Sequence, residues 1–508
     1  MLLTGVTNVD NCTRRRARSG PPDRVSGAPD GSPARVTGGR VRVGGVTTTF
    51  RRSSPSALGI DAAGVDRLVT ALEGAPGVEP HSIMVLRHGE VAAEGWWAPF
   101  AADRVHLLYS LSKSFTAAAV GIAVRAGLVD LDTTVISHFP ELDAEVTDER
   151  TRRMRVRHLL AMASGHRAET IERARQLDPT NTVRGFLLLP VDEEPGTVFA
   201  YNQPCTYTLG EIVRRVSGTS LLEYLRPRLF APLGIDDFAW CRDDSGAELG
   251  YSGGYTTTDA VAALGQLYLQ GGVWNGERLL DQDWVAAATS TRVENPDEAN
   301  PDWSVGYGFQ FWMARHGFRG DGAYGQFCIV LPEQDVVVAM TGQSLDMQAV
   351  LDAVWEHLLP AIDRPGSAED DERLRARLAG LALPPVVGGP LGELPSGSAS
   401  VGGSPSARLG AGLEALHLSQ DSDRGWVLTL RDPWGEVVAP VGEGSWAIDG
   451  ATATSGARDG DQVSVDVRFV ETPHLLHVRW DLASGVASAV WETEPLHDAA
   501  STLHRPAD

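Results

Sequence analysis

The sequence predicts an α/β (α+β) fold in which one antiparallel sheet is flanked by helices, followed by a separate β-rich domain. Strand-like segments lie at both ends of residues 56–363, and helical segments lie between them. This order indicates that early and late strands share one sheet. A Pro/Gly/Ser-rich tract at 384–405 has the composition of a linker, and the segments beyond it alternate with the period of two that is typical of strands.

Capping residues and periodicity predict the elements of residues 56–363. Asp61 is a helix N-cap that predicts a helix through Leu72, and residues 81–87 and 90–97 alternate like two strands. Residues 107–110 lead into a helix with Gly127 as its C-cap. We predict further helices at 156–162, 208–216, 220–230, 258–269 and 345–359, and a hairpin of strands 326–331 and 336–340.

Three other segments complete the predicted domain organisation. Residues 1–55 are rich in Gly, Pro, Ser and Arg with almost no large apolar side chains, so we expect them to be disordered. Residues 364–405 contain a charged helix near 370–378 and the linker. Residues 406–508 are expected to form a small β-barrel or sandwich. We predict strands within them at 426–430, 463–469 and 475–480.

The charged residues exclude several classes of function. The chain of 508 residues has a formal net charge of -22 at pH 7, so we expect neither nucleic acid nor an anionic membrane as a partner. Its 44 basic residues are 43 arginines and a single lysine, Lys113. A P-loop of the form G-x-x-x-x-G-K-[ST] needs a glycine before its lysine, but Ser112 precedes Lys113. A pyridoxal Schiff base would also have to use this one residue.

The cysteines and the N-terminal arginines indicate a cytoplasmic protein. The four cysteines contain no C-x-x-C pair and no metal-ligand spacing, so we interpret them as buried free thiols in a reducing compartment. The run at 14–16 is not followed by the apolar segment of an export signal. We expect no metal and no cofactor.

The lysine lies three residues after Ser110, in the segment Tyr109-Ser110-Leu111-Ser112-Lys113. If Ser110 opens the helix, three residues are one turn, so the hydroxyl and the amine share one face at its N-terminus. A serine nucleophile needs a nearby base, and a desolvated lysine at the positive end of a helix dipole can be that base near neutral pH. A solvated lysine after a serine N-cap would give the same spacing, but the apolar flanks favour a buried pair.

This segment resembles the S-x-x-K box of the serine β-lactamase and penicillin-binding protein superfamily, in the form found in class C β-lactamases, related esterases, D-aminopeptidases and nylon-oligomer hydrolases. The resemblance covers residues 56–360 and implies a β-lactamase/transpeptidase-like fold with an all-helical subdomain. It says nothing about residues 406–508. Further stretches are similar to the family in the right order at 159–165, 195–201, 232–235 and 252–259.

The resemblance also implies roles for the matched residues. Ser110 is the expected nucleophile, Lys113 its base or proton relay, and Tyr201 a second base that returns a proton to the leaving group. The alternative for Tyr201 is a core tyrosine presented by a turn. The family's Y-x-N box ends here in Gln203, which keeps an amide on a longer arm, and Asn202 is the other candidate amide for substrate binding.

The third box of the family, Lys/His-Thr/Ser-Gly, falls on Gly320-Asp321-Gly322, which contains no cation. In penicillin-recognising enzymes that cation binds the substrate carboxylate, so we expect β-lactam hydrolysis to be slow or absent. Arg319 or His316 could approach from one side. The backbone N–H of Ala323, which follows Gly322, is expected to complete an oxyanion hole with the N–H of Ser110.

Other features near this box allow two interpretations. Residues 320–325 form a literal G-x-G-x-x-G, but a strand follows, so these glycines are expected to let the backbone approach a substrate or the Ser110 segment rather than bind a dinucleotide. His166 either enters the cleft or is structural, and we favour the structural role. A run of aromatic residues forms either core or a wall of the cleft, namely Trp303, Tyr307, Phe309, Phe311 and Trp312.

The sequence therefore predicts a soluble, metal-independent serine hydrolase that forms an acyl-enzyme at Ser110 on a small-molecule ester, amide or D-peptide-like substrate. One alternative is a β-lactamase or D,D-peptidase. Another is a catalytically silent ligand-binding protein that kept the fold. Residues 406–508 could act as a lid or binding module, and the sequence does not indicate an oligomeric state.

Overall fold

The computed structural model describes residues 50–393, 412–496 and 499–507, together with two short strands at 42–43 and 46–47. Most of the segment predicted to be disordered, residues 394–405 of the predicted linker region and residues 406–411 of the predicted β-rich domain lie outside the described residues. Residues 50–55 correct the predicted boundary at 55, because they belong to the folded body. Phe50 is buried against Trp274, and Arg51–Arg52 forms an edge strand.

The elements of the first domain lie close to the predicted ones. The strands, in chain order and including the two at 42–47, are β1 (Arg42–Val43), β2 (Val46–Thr47), β3 (Arg51–Arg52), β4 (Val78–Arg87), β5 (Glu90–Trp96), β6 (His106–Leu107), β7 (Phe238–Trp240), β8 (Gly254–Thr256), β9 (Val273–Trp274), β10 (Glu277–Arg278), β11 (Trp312–Ala314), β12 (Gly317–Gly322), β13 (Gln326–Leu331) and β14 (Val336–Ser344). The helices are α1 (Ala62–Gly74), α2 (Ser112–Arg125), α3 (Glu149–Arg152), α4 (Val156–Leu160), α5 (Ile171–Leu177), α6 (Thr182–Leu188), α7 (Gln203–Ser217), α8 (Leu221–Leu225), α9 (Ala231–Leu233), α10 (Thr258–Leu269), α11 (Gln282–Ala288) and α12 (Met347–Ala353), and α13 (Ala368–Ala379) follows the domain.

One sheet of seven strands carries this domain, in the order β11-β12-β13-β14-β4-β5-β3. The early hairpin β4–β5 pairs antiparallel with the late strand β14, which confirms that early and late strands share one sheet. Strands β13 and β14 are buried at every position. Both faces of the sheet are therefore covered: α10 packs on β13, β14 and β4, and α1 packs on β4.

The helical subdomain lies between α2 and β7 in the chain and contains α3 to α9. Helix α2 is buried at every position from Ser112 to Ala123, and it packs against β12 of the sheet and against α7 and α8 of the subdomain. The N-terminus of α2 therefore lies where the sheet and the helical subdomain meet. The predicted helix at 220–230 is divided into α8 and a π-helical turn, Arg226–Phe230.

The C-terminal domain is β-rich, as predicted, and consists of two sheets with the orders β15-β16-β17 and β18-β20-β21-β22-β23. Alternate residues of both sheets, such as Leu416 and Leu428 in one and Val465 and Leu476 in the other, share one apolar core. The strands are β15 (Ala415–Asp421), β16 (Gly425–Asp432), β17 (Gly435–Pro440), β18 (Gly442–Glu443), β19 (Ala447–Asp449), β20 (Thr452–Asp459), β21 (Gln462–Phe469), β22 (His474–Asp481) and β23 (Val486–Trp491).

The prediction of free thiols can be compared with the described part of the chain. Cys205 and Cys328 are buried free thiols, as predicted. Cys241 is disulfide-bonded, so the prediction of a free thiol is wrong there. None of the helices in the described ranges combines the length and the apolar character needed to cross a membrane.

Candidate active site

Ser110 lies in a short 3-10 turn, Tyr109–Leu111, that runs directly into α2. This turn places Ser110 at the helix N-terminus and half-buried, one turn before the buried Lys113. Lys113 Nζ donates one hydrogen bond to Ser110 Oγ (3.1 Å) and a second to the carbonyl oxygen of Tyr251 (2.8 Å). The amine is therefore held against the hydroxyl in the arrangement that a serine and its base require.

The segment that carries the Tyr251 carbonyl is fastened to α2 by polar residues on one face of the helix. Thr116 Oγ1 donates to the Gly250 carbonyl (2.8 Å), and Ser112 Oγ accepts the N–H of Gly254 (2.9 Å). Gly254 has no room for a side chain, because a Cβ there would lie 2.8 Å from Ser112 Oγ. The second partner of Lys113 is thus fixed by the same helix that carries the lysine.

Burial lowers the pKa of Lys113 from its usual 10.5 to about 7, and this effect outweighs the nearby carboxylates of Glu169 and Asp321, which raise it. A charged ammonium loses hydration in such a site, so the neutral amine is favoured. Near neutral pH a large share of Lys113 is therefore unprotonated and able to accept a proton.

Tyr201 lies beside the pair formed by Ser110 and Lys113. Lys113 Nζ is 4.6 Å from the centroid of the Tyr201 ring, and Trp312 stacks on that ring with centroids 5.4 Å apart. Burial and the charge of Asp321 raise the pKa of Tyr201, and a hydrogen bond with Ser110 lowers it by less. The phenol is therefore protonated at rest and is placed to give a proton rather than to take one.

The end of β12 packs against the turn that carries Ser110, and two glycines make this approach possible. A Cβ on Gly322 would lie 2.0 Å from the carbonyl oxygen of Leu108, and a Cβ on Gly320 would lie 2.6 Å from Ser114 Oγ. The expected close approach to the Ser110 segment is confirmed, and it brings the backbone of Ala323 alongside that segment.

The turn after Gly322 is held by the side chain of Gln326. Its Nε2 donates to the carbonyls of Ala323 (3.1 Å), Tyr324 (3.2 Å) and Gly342 (2.8 Å). The N–H of Gly325 also returns to the Gly322 carbonyl (3.2 Å). The backbone around Ala323 is therefore held by hydrogen bonds on both sides of this residue.

The third box contributes a carboxylate rather than a cation. Asp321 is 7% exposed, and its Oδ2 accepts from Nε of the fully buried Arg319 (3.0 Å). Trp303 stacks on this guanidinium, 4.1 Å from its carbon to the ring centroid. Arg319 therefore contacts Asp321 but does not line the cavity. The exposed His316 packs on Trp355 and does not line the cavity either.

These groups face a cavity of ≈ 420 Å³. Of the five aromatic residues in the run before the third box, Trp303 and Trp312 line the cavity, and the other three are buried in the core. Carboxylates contribute to the wall, and none of the described residues that line the cavity is Arg, Lys or His. Leu496 from the C-terminal domain completes the lining.

The two candidate amides have different positions. Gln203 lines the cavity, and its buried Oε1 has no hydrogen-bond partner among the described residues. Asn202 corrects the expectation of a substrate contact: it is fully buried at the N-cap of α7 and absent from the lining, and its Oδ1 accepts from Thr170 N and Oγ1 (both 2.9 Å). His166 is structural, because it is buried against Ser164 and Phe186.

Two residues that contribute to the candidate active site were not identified from the sequence. Tyr251 precedes the stretch 252–259 that matches the family, but it takes part through a main-chain carbonyl, which carries no sequence signal. Glu169 lines the cavity, and its Oε1 accepts the N–H groups of Thr170, Ile171 and Gln203. An acidic residue before a helix is an ordinary capping signal, so the sequence alone does not indicate that Glu169 lies near Lys113.

Comparison with known proteins places this site in a family. The family described as Beta-lactamase matches residues 65–359. A 6-aminohexanoate-dimer hydrolase of Paenarthrobacter ureafaciens is 30% identical over 316 residues, which are 54% of this chain and 79% of that protein. A lovastatin esterase of Penicillium rubens is 30% identical over 157 residues, 27% of this chain and 39% of the esterase. The solved structure of EstCE1, a hydrolase with promiscuous acyltransferase activity, covers 58% of this chain and 98% of its own, at 18% identity and a TM-score of 0.49.

Proposed function

The chain belongs to the beta-lactamase family and is a serine hydrolase, and we propose that it cleaves an ester or amide bond through an acyl-enzyme at Ser110. The observation that carries this proposal is the contact of 3.1 Å between Lys113 Nζ and Ser110 Oγ in a buried site. A structural lysine would be expected to pair with a carboxylate or reach solvent. The hydrogen bonds of Lys113 go instead to a hydroxyl and a main-chain carbonyl.

Acylation begins with Ser110 Oγ attacking the substrate carbonyl carbon while its proton passes to the neutral Lys113 amine. The carbonyl oxygen becomes an oxyanion, which the backbone N–H groups of Ser110 and Ala323 stabilise. Collapse of the tetrahedral species breaks the bond to the alcohol or amine. Tyr201 gives its proton to this leaving group and recovers one from Lys113, so Ser110 is left acylated and the protons balance.

Deacylation reverses these proton transfers with water in place of the leaving group. The Lys113 amine, neutral again after acylation, accepts a proton from the water as the water oxygen attacks the acyl carbon. The proton then returns to Ser110 Oγ when the acid leaves, which restores the resting site. The low pKa of Lys113 is what allows one amine to accept and return the proton near neutrality.

The cavity wall favours a substrate without a carboxylate at the third box. In penicillin-recognising relatives the cation of the third box binds a carboxylate, but Gly320 stands at that position here and Asp321 stands at the position of the hydroxyl. The described lining of the cavity holds no cation. A substrate carboxylate would face the carboxyl groups of Asp321 and Glu169 and would find no cation in the described lining to pair with. We therefore propose that the substrate is a neutral or amine-bearing ester or amide. Trp303 and Trp312 provide apolar surface for the hydrocarbon part of that substrate.

A panel of p-nitrophenyl esters, p-nitroanilides and nitrocefin tests the proposal on the wild type and Ser110→Ala. We expect turnover of esters and amides, slow or no turnover of nitrocefin, and loss of turnover in Ser110→Ala. Equal activity in the two proteins would refute the role of Ser110. Wild type that turns over none of these compounds but is stabilised by them in thermal shifts would support a silent binding protein, and rapid nitrocefin hydrolysis would support a β-lactamase.

A further inference from the structure

Two tyrosines with left-handed backbone lie next to the two expected oxyanion donors. Tyr109 (φ 48°) immediately precedes Ser110, and Tyr324 (φ 64°) immediately follows Ala323. Positive φ is unfavourable for a bulky side chain, so contacts from the surrounding structure must hold both residues in this conformation.

The C-terminal domain contacts both tyrosine hydroxyls. The Tyr109 hydroxyl lies 2.6 Å from His474 Nε2, and the Tyr324 hydroxyl donates to the Glu494 carbonyl at 2.6 Å. His474 Nδ1 lies 2.9 Å from the Thr493 carbonyl oxygen, which can only accept, so Nδ1 carries the proton. In the neutral ring, Nε2 then accepts the hydrogen bond from Tyr109.

The three rings also pack edge to face with one another. The Tyr109 and Tyr324 centroids are 5.7 Å apart, and the ring of His474 lies 5.9 Å from the first and 5.5 Å from the second. His474 is 2% exposed. A further link holds the start of this segment, because the Leu107 N–H donates to the Glu471 carbonyl at 2.7 Å.

We propose that the C-terminal domain positions the oxyanion hole, with His474 acting on Ser110 through Tyr109 and the Glu494 carbonyl acting on Ala323 through Tyr324. His474 and Glu494 are positioning groups that do not touch the reacting atoms. This inference rests on the proposed acyl-enzyme at Ser110. It gives the β-rich domain a role in the chemical step, which differs from that of a lid or a separate binding module.

The consequence for catalysis follows from the narrow geometry of an oxyanion hole. Each donor contributes about two to three decades in rate only when it meets the oxyanion at hydrogen-bond distance. When the tyrosine hydroxyl loses its hydrogen-bond partner, the adjacent peptide can rotate, and its N–H then stabilises the oxyanion less well. We therefore expect His474→Phe, which keeps a ring but removes the acceptor, to lower kcat roughly 10-fold with little change in KM.

A matched pair of substrates isolates this effect. An oxygen ester and its thionoester analogue differ only at the atom that enters the hole, and sulfur accepts hydrogen bonds weakly. We expect His474→Phe to lower kcat/KM for the oxygen ester more than for the thionoester, so that the ratio between them falls. His474→Gln, whose amide oxygen can replace Nε2 as the acceptor, should restore both kcat and the ratio to within about threefold of wild type.

Two further sets of variants separate positioning from stability. Arg468→Met removes the part-buried ion pair with Glu79 (2.5 and 2.9 Å) across the same domain interface. It should lower Tm without changing kcat or the substrate ratio. Tyr109→Phe combined with His474→Phe should be no slower than either single variant, because both remove one contact.

The outcomes distinguish the inference from the proposed function. Three results would overturn the positioning role while leaving the acyl-enzyme intact. They are a wild-type kcat in His474→Phe, an unchanged ratio of kcat/KM between the oxygen ester and the thionoester in that variant, and a loss of kcat in Arg468→Met equal to that in His474→Phe. Activity in Ser110→Ala would instead remove the proposed function itself. If His474→Phe does not fold, Tyr324→Phe removes a single oxygen atom from the second contact and should lower the same ratio, and an unchanged ratio would again refute the inference.

Discussion

The pKa of Lys113 predicts the pH dependence of the enzyme. In the proposed mechanism the neutral amine accepts the Ser110 proton, so kcat/KM should fall as pH decreases through the pKa of Lys113, which burial lowers to about 7. At pH 7 about half of such an amine is neutral, whereas only about one in 3,000 is neutral at the ordinary pKa of 10.5. Burial thus increases the population of the base by roughly 10³-fold at neutral pH.

A pH–rate profile of p-nitrophenyl ester hydrolysis between pH 5 and 9 measures this effect. We expect a plateau above pH 8 and a tenfold loss for each pH unit below 7, which leaves ~1% of the plateau at pH 5. Circular dichroism at each pH is the control for unfolding. A flat profile, or an apparent pKa above about 9, would refute the assignment of Lys113 as the base.

The variant Glu169→Gln identifies which group titrates. The Glu169 carboxylate raises the pKa of Lys113, so its removal should move the acid limb to lower pH and keep its slope. The amide oxygen can still accept the N–H groups of Thr170 and Ile171, which preserves the local fold. If Glu169 itself were the titrating base, the acid limb would disappear in this variant.

Three other expectations follow from the site. Tyr201→Phe should lower kcat for a p-nitroanilide or alkyl amide by ~10²–10⁴-fold and affect a p-nitrophenyl ester less, because nitrophenolate leaves without a proton; equal losses would contradict the role of Tyr201 as proton donor. Gly322→Ala should lower the free energy of unfolding by ~1–3 kcal/mol and lower kcat, because the new Cβ would lie 2.0 Å from the Leu108 carbonyl oxygen. Gly74→Ala is the control: its Cβ would have nothing within 4 Å, so thermal denaturation and activity should not change. Asp321→Asn should weaken inhibition by an amine-bearing substrate analogue more than by its neutral counterpart, and an equal Ki change for both would remove Asp321 from substrate selection.

The sequence predicts the parts of the site that depend on local spacing. Ser110 and Lys113 share a helical turn, and a chain with one lysine directs attention to that turn. The glycines at 320 and 322 were expected to allow close backbone approach, and the packing of β12 against the Ser110 turn agrees with this. The expectation that early and late strands share one sheet followed from the positions of the strand patterns along the chain, and the pairing of β14 with β4 confirms it.

The rest of the site depends on long-range contacts that periodicity does not encode. The Tyr251 carbonyl reaches Lys113 from 138 residues away, and His474 reaches Tyr109 from 365 residues away. Asn202 was a candidate for substrate binding because of its neighbours in the chain, but its amide is used to hold Thr170. A buried polar side chain can form hydrogen bonds with the backbone or bind a ligand, and only the three-dimensional arrangement distinguishes the two roles.

Covalent labelling of Ser110 tests the central claim most directly. Wild-type protein treated with a fluorophosphonate and analysed by intact-mass spectrometry and peptide mapping should gain one phosphonyl group, located on Ser110. Ser110→Ala should remain at its unmodified mass under the same conditions. Labelling at another residue, or equal labelling of Ser110→Ala, would contradict the account.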